Sequence, residues 1–497
     1  MARFPFQSDF PLGPRLAEET LVSWICREFR RGISTGRLLP GSRIPPSRVF
    51  AEQHGMARGT ILEAFDQLIS EGYLTTRRGS GTTVSPELPD PARERSPVSA
   101  EKSRETSRPG LSHRAKRLRH LPVSPFPLDF SDARPKAFRA NQPSVAHFPI
   151  DEWSRLSSRR LRRASAEMLI GGDVLGYPPL RDALAAHLGS TRGIHCTADR
   201  IMIVSGTQQA LDLVVRIVLD PGDKAWIEDP GYPGAGTVME SWGVKVIPVD
   251  VDARGLRVEK GLRAAGDARL AYVTPAHQFP LGVVMAPERR QQLLQWARES
   301  GAWIFEDDYD SEFRFSGRPI AALQSLTPDD NVIFSGSFSK MLFPSLRMGF
   351  VVLPDRLVEP MRQLRSLVDR HGPTLNQAVL CDFIAEGHFS RHLRRMRQIY
   401  AQHHEALLES AAANLADLLD VVPTETGLQT IGWLANGQQD RDIARLAAAA
   451  GIDVTPLSNY AFKWRKRNGL QLGFGSIAPK ELRLATAKLA RVLKKNL

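Results

Sequence analysis

From about residue 126 to the C-terminus, short apolar runs of strand length alternate with amphipathic stretches of helix length, and each principal run ends in polar residues. This alternation restricts the fold more than any other feature of the chain. A strand covered on both faces reads as a continuous apolar run, while the helix that covers it needs only one apolar stripe. The pattern predicts an α/β fold with a largely parallel sheet. Ligands of such sheets collect beyond the carboxyl ends of the strands, so the residues just after each run are the first candidates for chemistry.

Five such ends are informative together. The run 201–204 leads into Ser205-Gly206-Thr207-Gln208-Gln209, small residues that open a helix and offer free amides to a phosphate. The run 225–227 leads through Glu228-Asp229-Pro230-Gly231 to Tyr232, an aromatic ring at a strand mouth. After 270–273 come Thr274-Pro275-Ala276-His277-Gln278-Phe279-Pro280, polar groups suited to a ring hydroxyl. After 303–305 come Glu306-Asp307-Asp308-Tyr309-Asp310, where a carboxylate can keep a pyridine nitrogen protonated and a tyrosine can bond a phenolic oxygen. The run 332–334 leads into Ser335-Gly336-Ser337-Phe338-Ser339-Lys340, with Arg347 shortly after. A lysine amine forms a Schiff base with an aldehyde, while hydroxyls and a guanidinium grip a phosphate. Singly, these segments also fit an ordinary βα turn, a packing tyrosine or a lysine on a surface loop. Together they point to pyridoxal 5'-phosphate (PLP).

The chain has 497 residues, more than one core usually organises, and its composition changes along its length. Residues 12–85 alternate helical patterns with short turns and form one expected domain. Residues 86–125 are rich in Pro, Ser, Arg and Glu and poor in large apolar side chains, the composition of a flexible basic linker. Residues 126–497 are the expected PLP-binding domain, with a smaller α+β C-terminal subdomain from about 355. The formal net charge is +12, and the basic excess is denser towards the N-terminus, with nine basic and five acidic residues in 87–120 alone. A polyanionic partner or a solvated linker accounts for this equally well.

Within 12–85, Leu16 to Ile33 reads as an amphipathic helix, with Leu21, Trp24, Ile25 and Phe29 at helical spacing. A short helix with Ser47 as N-cap ends at Gly55, and a second runs from Arg58 to Ser70, expected to bury Ile61, Leu62, Phe65, Leu68 and Ile69. This is the helix-turn-helix plan, whose second helix enters the major groove. Tyr73 to Val84 then reads as two strands around the basic tip Arg77-Arg78-Gly79, a wing able to reach phosphates or the minor groove.

The segments Leu39-Pro40-Gly41-Ser42-Arg43-Ile44-Pro45-Pro46-Ser47-Arg48 and Glu71-Gly72-Tyr73-Leu74 resemble the winged helix-turn-helix of the GntR family. The resemblance implies that Arg43, Ser47, Arg48, Arg58 and Thr60 face DNA, with Arg77, Arg78 and Gly79 on the wing. Ala57, Gly59 and Leu62 depart from the family pattern in the recognition helix. The larger region resembles the fold-type I aminotransferases, and over nearly its whole length the aminotransferase-like domain of MocR/GabR-type regulators. That resemblance implies Lys340 as the internal aldimine, Asp307 at the ring nitrogen, Tyr309 at the ring oxygen and Tyr232 stacked on the ring. Gly206, Thr207, Ser337 and Arg347 would hold the phosphate. Tyr177, in Gly176-Tyr177-Pro178-Pro179-Leu180-Arg181, matches a tyrosine that reaches the neighbouring subunit's phosphate, implying a head-to-tail homodimer with shared sites. Gly234 and Gln471 stand where members that bind an amino acid carboxylate carry arginines, and Arg139 or His277 are the candidate replacements.

The expected protein is a transcriptional regulator that binds double-stranded DNA and senses PLP itself, or an amine or amino acid reacting with bound PLP. The competing class is an aminotransferase with an accessory DNA-binding domain. Cys26, Cys196 and Cys381 are odd in number, far apart and without metal-like spacing, as expected of free thiols in a cytoplasm. No apolar run is long enough to span a bilayer, so no membrane partner is expected.

Overall fold

The computed structural model describes residues 10–77, 81–88, 110–118, 136–317, 320–435, 437–463 and 467–495. The chain divides into two compact units, Met1–Gly110 and Leu111–Leu497. Most of the stretch read as a linker lies outside the described residues, and its described part includes a helix, His113–Leu118.

The first unit contains α1 (Leu21–Ser34), α2 (Ser47–His54), α3 (Arg58–Ser70) and the strands β1 (Leu74–Arg77) and β2 (Gly81–Val84). α1 starts five residues later than its apolar pattern predicts, because Thr20 caps it by accepting the Ser23 amide. Ser47 is the first helical residue of α2 and not its cap; extended Pro46 takes the cap position. α2 ends as expected at Gly55, whose φ of 63° is the left-handed conformation that glycine adopts without strain. In α3 the buried face is Ile61, Ala64, Phe65 and Leu68. Leu62 is 42% exposed, contrary to expectation, since that face follows i, i+3, i+4, i+7 and position 62 lies a further 100° round. Ile69 is only partly buried. These side chains close one core with Ile25, Phe29, Phe50, Leu74 and Val84. The two strands pair antiparallel, Leu74 opposite Val84 and Arg77 opposite Gly81, and the Ile44 amide donates to the Thr82 carbonyl.

The second unit is built on eight strands: β3 (Ile201–Val204), β4 (Lys224–Asp229), β5 (Lys245–Asp252), β6 (Gly255–Leu256), β7 (Leu270–Val273), β8 (Trp303–Asp308), β9 (Val332–Ser337) and β10 (Gly349–Val352). Their order is β3-β10-β9-β8-β7-β4-β5-β6. β9, β8, β7, β4 and β5 run parallel; β10 is antiparallel to both its neighbours and β6 to β5. After β9 the chain returns through β10, which lies between β9 and β3.

Alternate residues of a strand face opposite sides. Ala225, Ile227, Leu270 and Tyr272 pack against the helices Thr207–Val218 and Pro233–Ser241, while Trp226, Ala271 and Val273 pack against Val258–Ala265 and Pro287–Ser300. On that second face the Trp226 and Trp296 rings stack with centroids 3.8 Å apart. Both faces of the sheet are thus covered, which is why its strands read as apolar runs. The C-terminal part forms a second, antiparallel sheet of β11 (Leu419–Val421), β12 (Gln429–Leu434), β13 (Thr455–Pro456) and β14 (Gly469–Gly473), in the order β11-β12-β14-β13. The helices His388–Asn414 and Pro479–Lys494 pack with it. No helix among the described residues is long and apolar enough to cross a membrane.

Candidate functional site

The carboxyl ends of β3, β4, β7, β8 and β9 converge on a cavity of about 220 Å³. Its wall includes Gly206 and Thr207 after β3, Tyr232 after β4, Thr274 and Phe279 after β7, Asp307 on β8 and Tyr309 just after it, and Ser337 on β9 with Lys340 just after it. Arg347, Asn141 and Tyr272 complete it with Gln208, Ser339 and Pro344.

Lys340 sits on the single-turn helix Phe338–Met341, which lifts its amine from the β9 end into the cavity. Its Nζ donates to the Asn141 carbonyl at 2.9 Å. Burial pushes the amine down from the ordinary lysine range to about 8, against the opposing effect of Asp310 and Asp307. Burial thereby enlarges the fraction of the amine that is neutral, and so nucleophilic, near physiological pH.

Asp307 accepts from the Tyr272 hydroxyl at 2.6 Å and the Thr207 hydroxyl at 3.2 Å. Burial still raises its carboxyl to about 7. A cationic partner against it would restore the ionised form, which is what a protonated ring nitrogen supplies. The opposite end is cut for an anion. Gly206, with φ 129°, caps the helix Thr207–Val218, and Arg347 holds a left-handed backbone with φ 49° and ψ 53°. A Cβ on Gly206 would lie 3.9 Å from the Arg347 guanidinium, so the cradle is open where a side chain would begin to fill it. Ser339 contributes a buried hydroxyl that has no partner. Lys340, Asp307 and this cradle fit the aldehyde, ring nitrogen and phosphate of PLP.

Tyr232 donates its hydroxyl to Gln208 Oε1 at 2.9 Å, and burial raises its phenol above the ordinary range. Tyr309 lies with its hydroxyl 3.2 Å from His277 Nδ1, which is also 2.9 Å from Asp310 Oδ1. Of the cofactor residues expected from sequence, Tyr177 alone stands away from this cavity. It caps the helix Pro178–Arg192, half-buried, with its amide donating to Gln377 Oε1 at 2.7 Å.

The positions expected to replace the missing arginines are committed elsewhere. Arg139 pairs with Asp453 at 2.6 Å, and His277 pairs with Asp310. A Cβ on Gly234 would meet the Tyr232 ring at 2.5 Å and Gln208 Oε1 at 2.6 Å, so no larger residue fits without repacking them. Gln471 is fully buried on β14, accepts from the Tyr460 hydroxyl at 2.7 Å and does not line the cavity. Two cavity residues escaped the sequence reading. Tyr272 hides inside an apolar run, where its phenolic oxygen was the available signal. Asn141 comes from an irregular segment some two hundred positions before Lys340, and nothing local marks it.

In the first unit Arg43, Arg48 and Arg58 are exposed, while Ser47 and Thr60 at the starts of α2 and α3 are half-buried. Arg48 lies 3.2 Å from Glu52 one turn on, an exposed pair that leaves its charge accessible. Arg77 ends β1; Arg78 and Gly79 lie outside the described residues.

Residues 21–84 match the model of bacterial regulatory proteins of the gntR family, and residues 137–487 match aminotransferase class I and II. The chain is 38% identical over 469 residues to the probable rhizopine catabolism regulatory protein MocR of Rhizobium meliloti, covering 94% of this chain and 93% of that protein. It is 31% identical over 487 residues to the pyridoxine biosynthesis transcriptional regulator PdxR of Corynebacterium glutamicum, covering 97% and 98%. Among solved structures, an archaeal alanine:glyoxylate aminotransferase is similar with a TM-score of 0.71 at 25% identity, covering 78% of this chain and 98% of that one. The kynurenine aminotransferase of Pyrococcus horikoshii, in complex with PMP, gives 0.68 at 26% identity, covering 81% and 99%.

Proposed function

The chain belongs to the aminotransferase class I and II family, among the MocR-like PLP-dependent transcriptional regulators with a gntR-family DNA-binding domain, and from that premise we propose how its parts work. Lys340 holds the cofactor aldehyde covalently. Asp307 faces the ring nitrogen, Tyr309 the ring oxygen and Tyr232 the ring face. Gly206, Thr207, Ser337 and Arg347 hold the phosphate. When bound, PLP supplies an electrophilic carbon that exchanges one amine for another. The signal is either an amine that displaces Lys340 from that carbon or occupancy by PLP itself. Relatives named as regulators of pyridoxine biosynthesis and of rhizopine catabolism are consistent with either source.

Two copies pair head to tail, with Tyr177 of each reaching the phosphate of the other's site. Arg43, Ser47, Arg48, Arg58 and Thr60 meet DNA, with Arg77, Arg78 and Gly79 on the wing. Two DNA-reading heads on one dimer raise affinity for paired half-sites through their effective concentration. The observation that carries this reading is the convergence of Lys340, Asp307 and Arg347 on one cavity in a chain that also carries a winged helix-turn-helix.

Borohydride trapping of the PLP-loaded protein is expected to label Lys340, and Lys340→Ala to abolish the trapped adduct; an adduct retained in that variant sinks the assignment. Footprinting with and without PLP, beside transamination assays over an amino acid panel, separates regulator from enzyme. A specific footprint altered by ligand is expected. Sustained turnover without any specific footprint would place the protein with the aminotransferases by activity as well as by fold.

A further inference from the structure

After β7 the chain turns two of its polar side chains into the interior. Thr274 donates its hydroxyl to Glu228 Oε2 at 2.6 Å, and Gln278 Nε2 donates to Glu228 and to the Pro230 carbonyl. His277 instead meets Tyr309, a residue of the cavity wall. Its Nδ1 lies 2.9 Å and 3.0 Å from the two carboxylate oxygens of Asp310 and 3.2 Å from the Tyr309 hydroxyl. His277 and Asp310 are each 3% exposed. A Cβ on Gly427 would lie 2.6 Å from Asp310 Oδ2, and one on Gly282 would lie 3.1 Å from His277 Nε2. Both glycines hold positive φ, 87° and 76°, so backbone alone closes over the pair on those sides.

These contacts fix where the hydrogens lie. A carboxylate only accepts, so the Nδ1 that faces both Asp310 oxygens carries the hydrogen. That nitrogen has no lone pair left to offer, and the Tyr309 oxygen meets it as an acceptor. A neutral imidazole in this tautomer leaves Nε2 bare, and Nε2 is the ring nitrogen without a hydrogen-bond partner among the described residues. The phenol keeps its own hydrogen, because burial and the carboxylates Asp310, Asp307, Glu228 and Asp308 hold it well above the ordinary tyrosine range. Beside a bare Nδ1 the phenol would spend that hydrogen on the imidazole. Beside Nδ1–H the hydrogen turns away from His277, on a ring that lines the cavity with the cations Lys340 and Arg347.

We propose that His277 and Asp310 are a positioning pair: Asp310 fixes the Nδ1–H tautomer of His277, and that N–H turns the Tyr309 hydroxyl hydrogen towards the phenolic oxygen of the cofactor. This rests on Tyr309 facing the ring oxygen. The pair acts through Tyr309. A donor on the phenolic oxygen stabilises its anion, and so lowers the pH at which the Lys340-dependent absorbance band titrates.

The test is a pH titration of that band in the full-length PLP-loaded protein, with the melting temperature of each variant measured alongside. His277→Asn sets a side-chain amide near the place of Nδ1, and His277→Gln sets one nearer Nε2. Tyr309→Phe is expected to raise the midpoint by about one pH unit, the worth of one hydrogen bond. His277→Gln should raise it by about as much, and His277→Asn by less than about a third of a unit. His277→Gln combined with Tyr309→Phe should go no further than Tyr309→Phe alone. Equal midpoints in His277→Asn and His277→Gln, or a double variant that shifts by the sum of its singles, overturns the inference and leaves the cofactor site standing. A His277→Gln protein that melts lower with an unmoved midpoint does the same, since the pair is then structural only. In PLP-free wild-type protein carrying nitrogen-15 histidine, the resonance lost on His277→Asn is expected to report a protonated Nδ1; a bare Nδ1 overturns the inference without recourse to the Gln variant. An unmoved midpoint in Tyr309→Phe overturns the place of Tyr309 at the ring oxygen, and this inference with it.

Discussion

The ionisation of Lys340 gives a quantitative prediction, because only the neutral amine attacks the cofactor aldehyde. With the amine pushed down to about 8 by burial, roughly one molecule in ten carries it neutral at pH 7 and about half do at pH 8. An ordinary lysine at 10.5 would be neutral in only about one molecule in three thousand at pH 7, so the cavity raises the reactive fraction some three-hundredfold. The rate at which PLP-free protein develops the Schiff-base band, followed by stopped flow at fixed PLP, should rise about tenfold per pH unit below 7 and level off above about 8.5. Asp310 and Asp307 oppose the burial effect, and Arg347 adds to it. Asp310→Asn should therefore move the inflection to lower pH. A wild-type profile that still climbs tenfold per unit from 8.5 to 10 would refute the argument, since the amine would then be an ordinary one.

Burial also raises Glu228 to about 7, against bonds from Thr274 and Gln278. The folded state then binds more protons than the unfolded one between about 4.5 and 7, so this residue's contribution is complete below that window and lost as pH rises through it. Glu228→Gln cannot ionise, and its melting temperature should fall less between pH 5 and 8 than that of wild type, by an amount corresponding to roughly 3 kcal/mol. Phe29 is fully buried among Phe10, Phe50 and Phe65. Phe29→Ala should destabilise the winged helix by about 3–5 kcal/mol and abolish DNA binding, while the PLP absorbance band persists. A variant with Arg48→Ala and Arg58→Ala should bind DNA more weakly, with a salt dependence shallower by about two counterions if both reach phosphates; fluorescence anisotropy over a salt series reads both.

The fold was legible because both of its main signals are local. A strand covered on two faces must be apolar along its length, and the residues after it must leave the sheet, so 201–204, 225–227, 270–273, 303–305 and 332–334 announced both the strands and the cavity-facing ends. Lys340, Asp307 and Arg347 were readable on the same ground. The errors in α1–α3 were also local, but of phase and capping. Leu62 is apolar on the exposed side because hydrophobicity alone does not say which stripe of a helix meets a neighbour, and small Ala64 fills the core position instead.

By itself, then, the sequence marked the five strands whose ends line the cavity and the helices of the first unit, where the chain divides in composition, and which polar residues stand at strand mouths. Tertiary structure alone decided which of those residues share a cavity and what each is tied to. It brought Asn141 to Lys340 across 199 positions and Arg139 to Asp453 across 314, and it packed Gly234 beneath Tyr232 so that no arginine fits there. The physical reason is range. Backbone periodicity and caps act within a few residues, whereas the partner of a buried polar group is whatever the packed sheets place within about 3 Å of it.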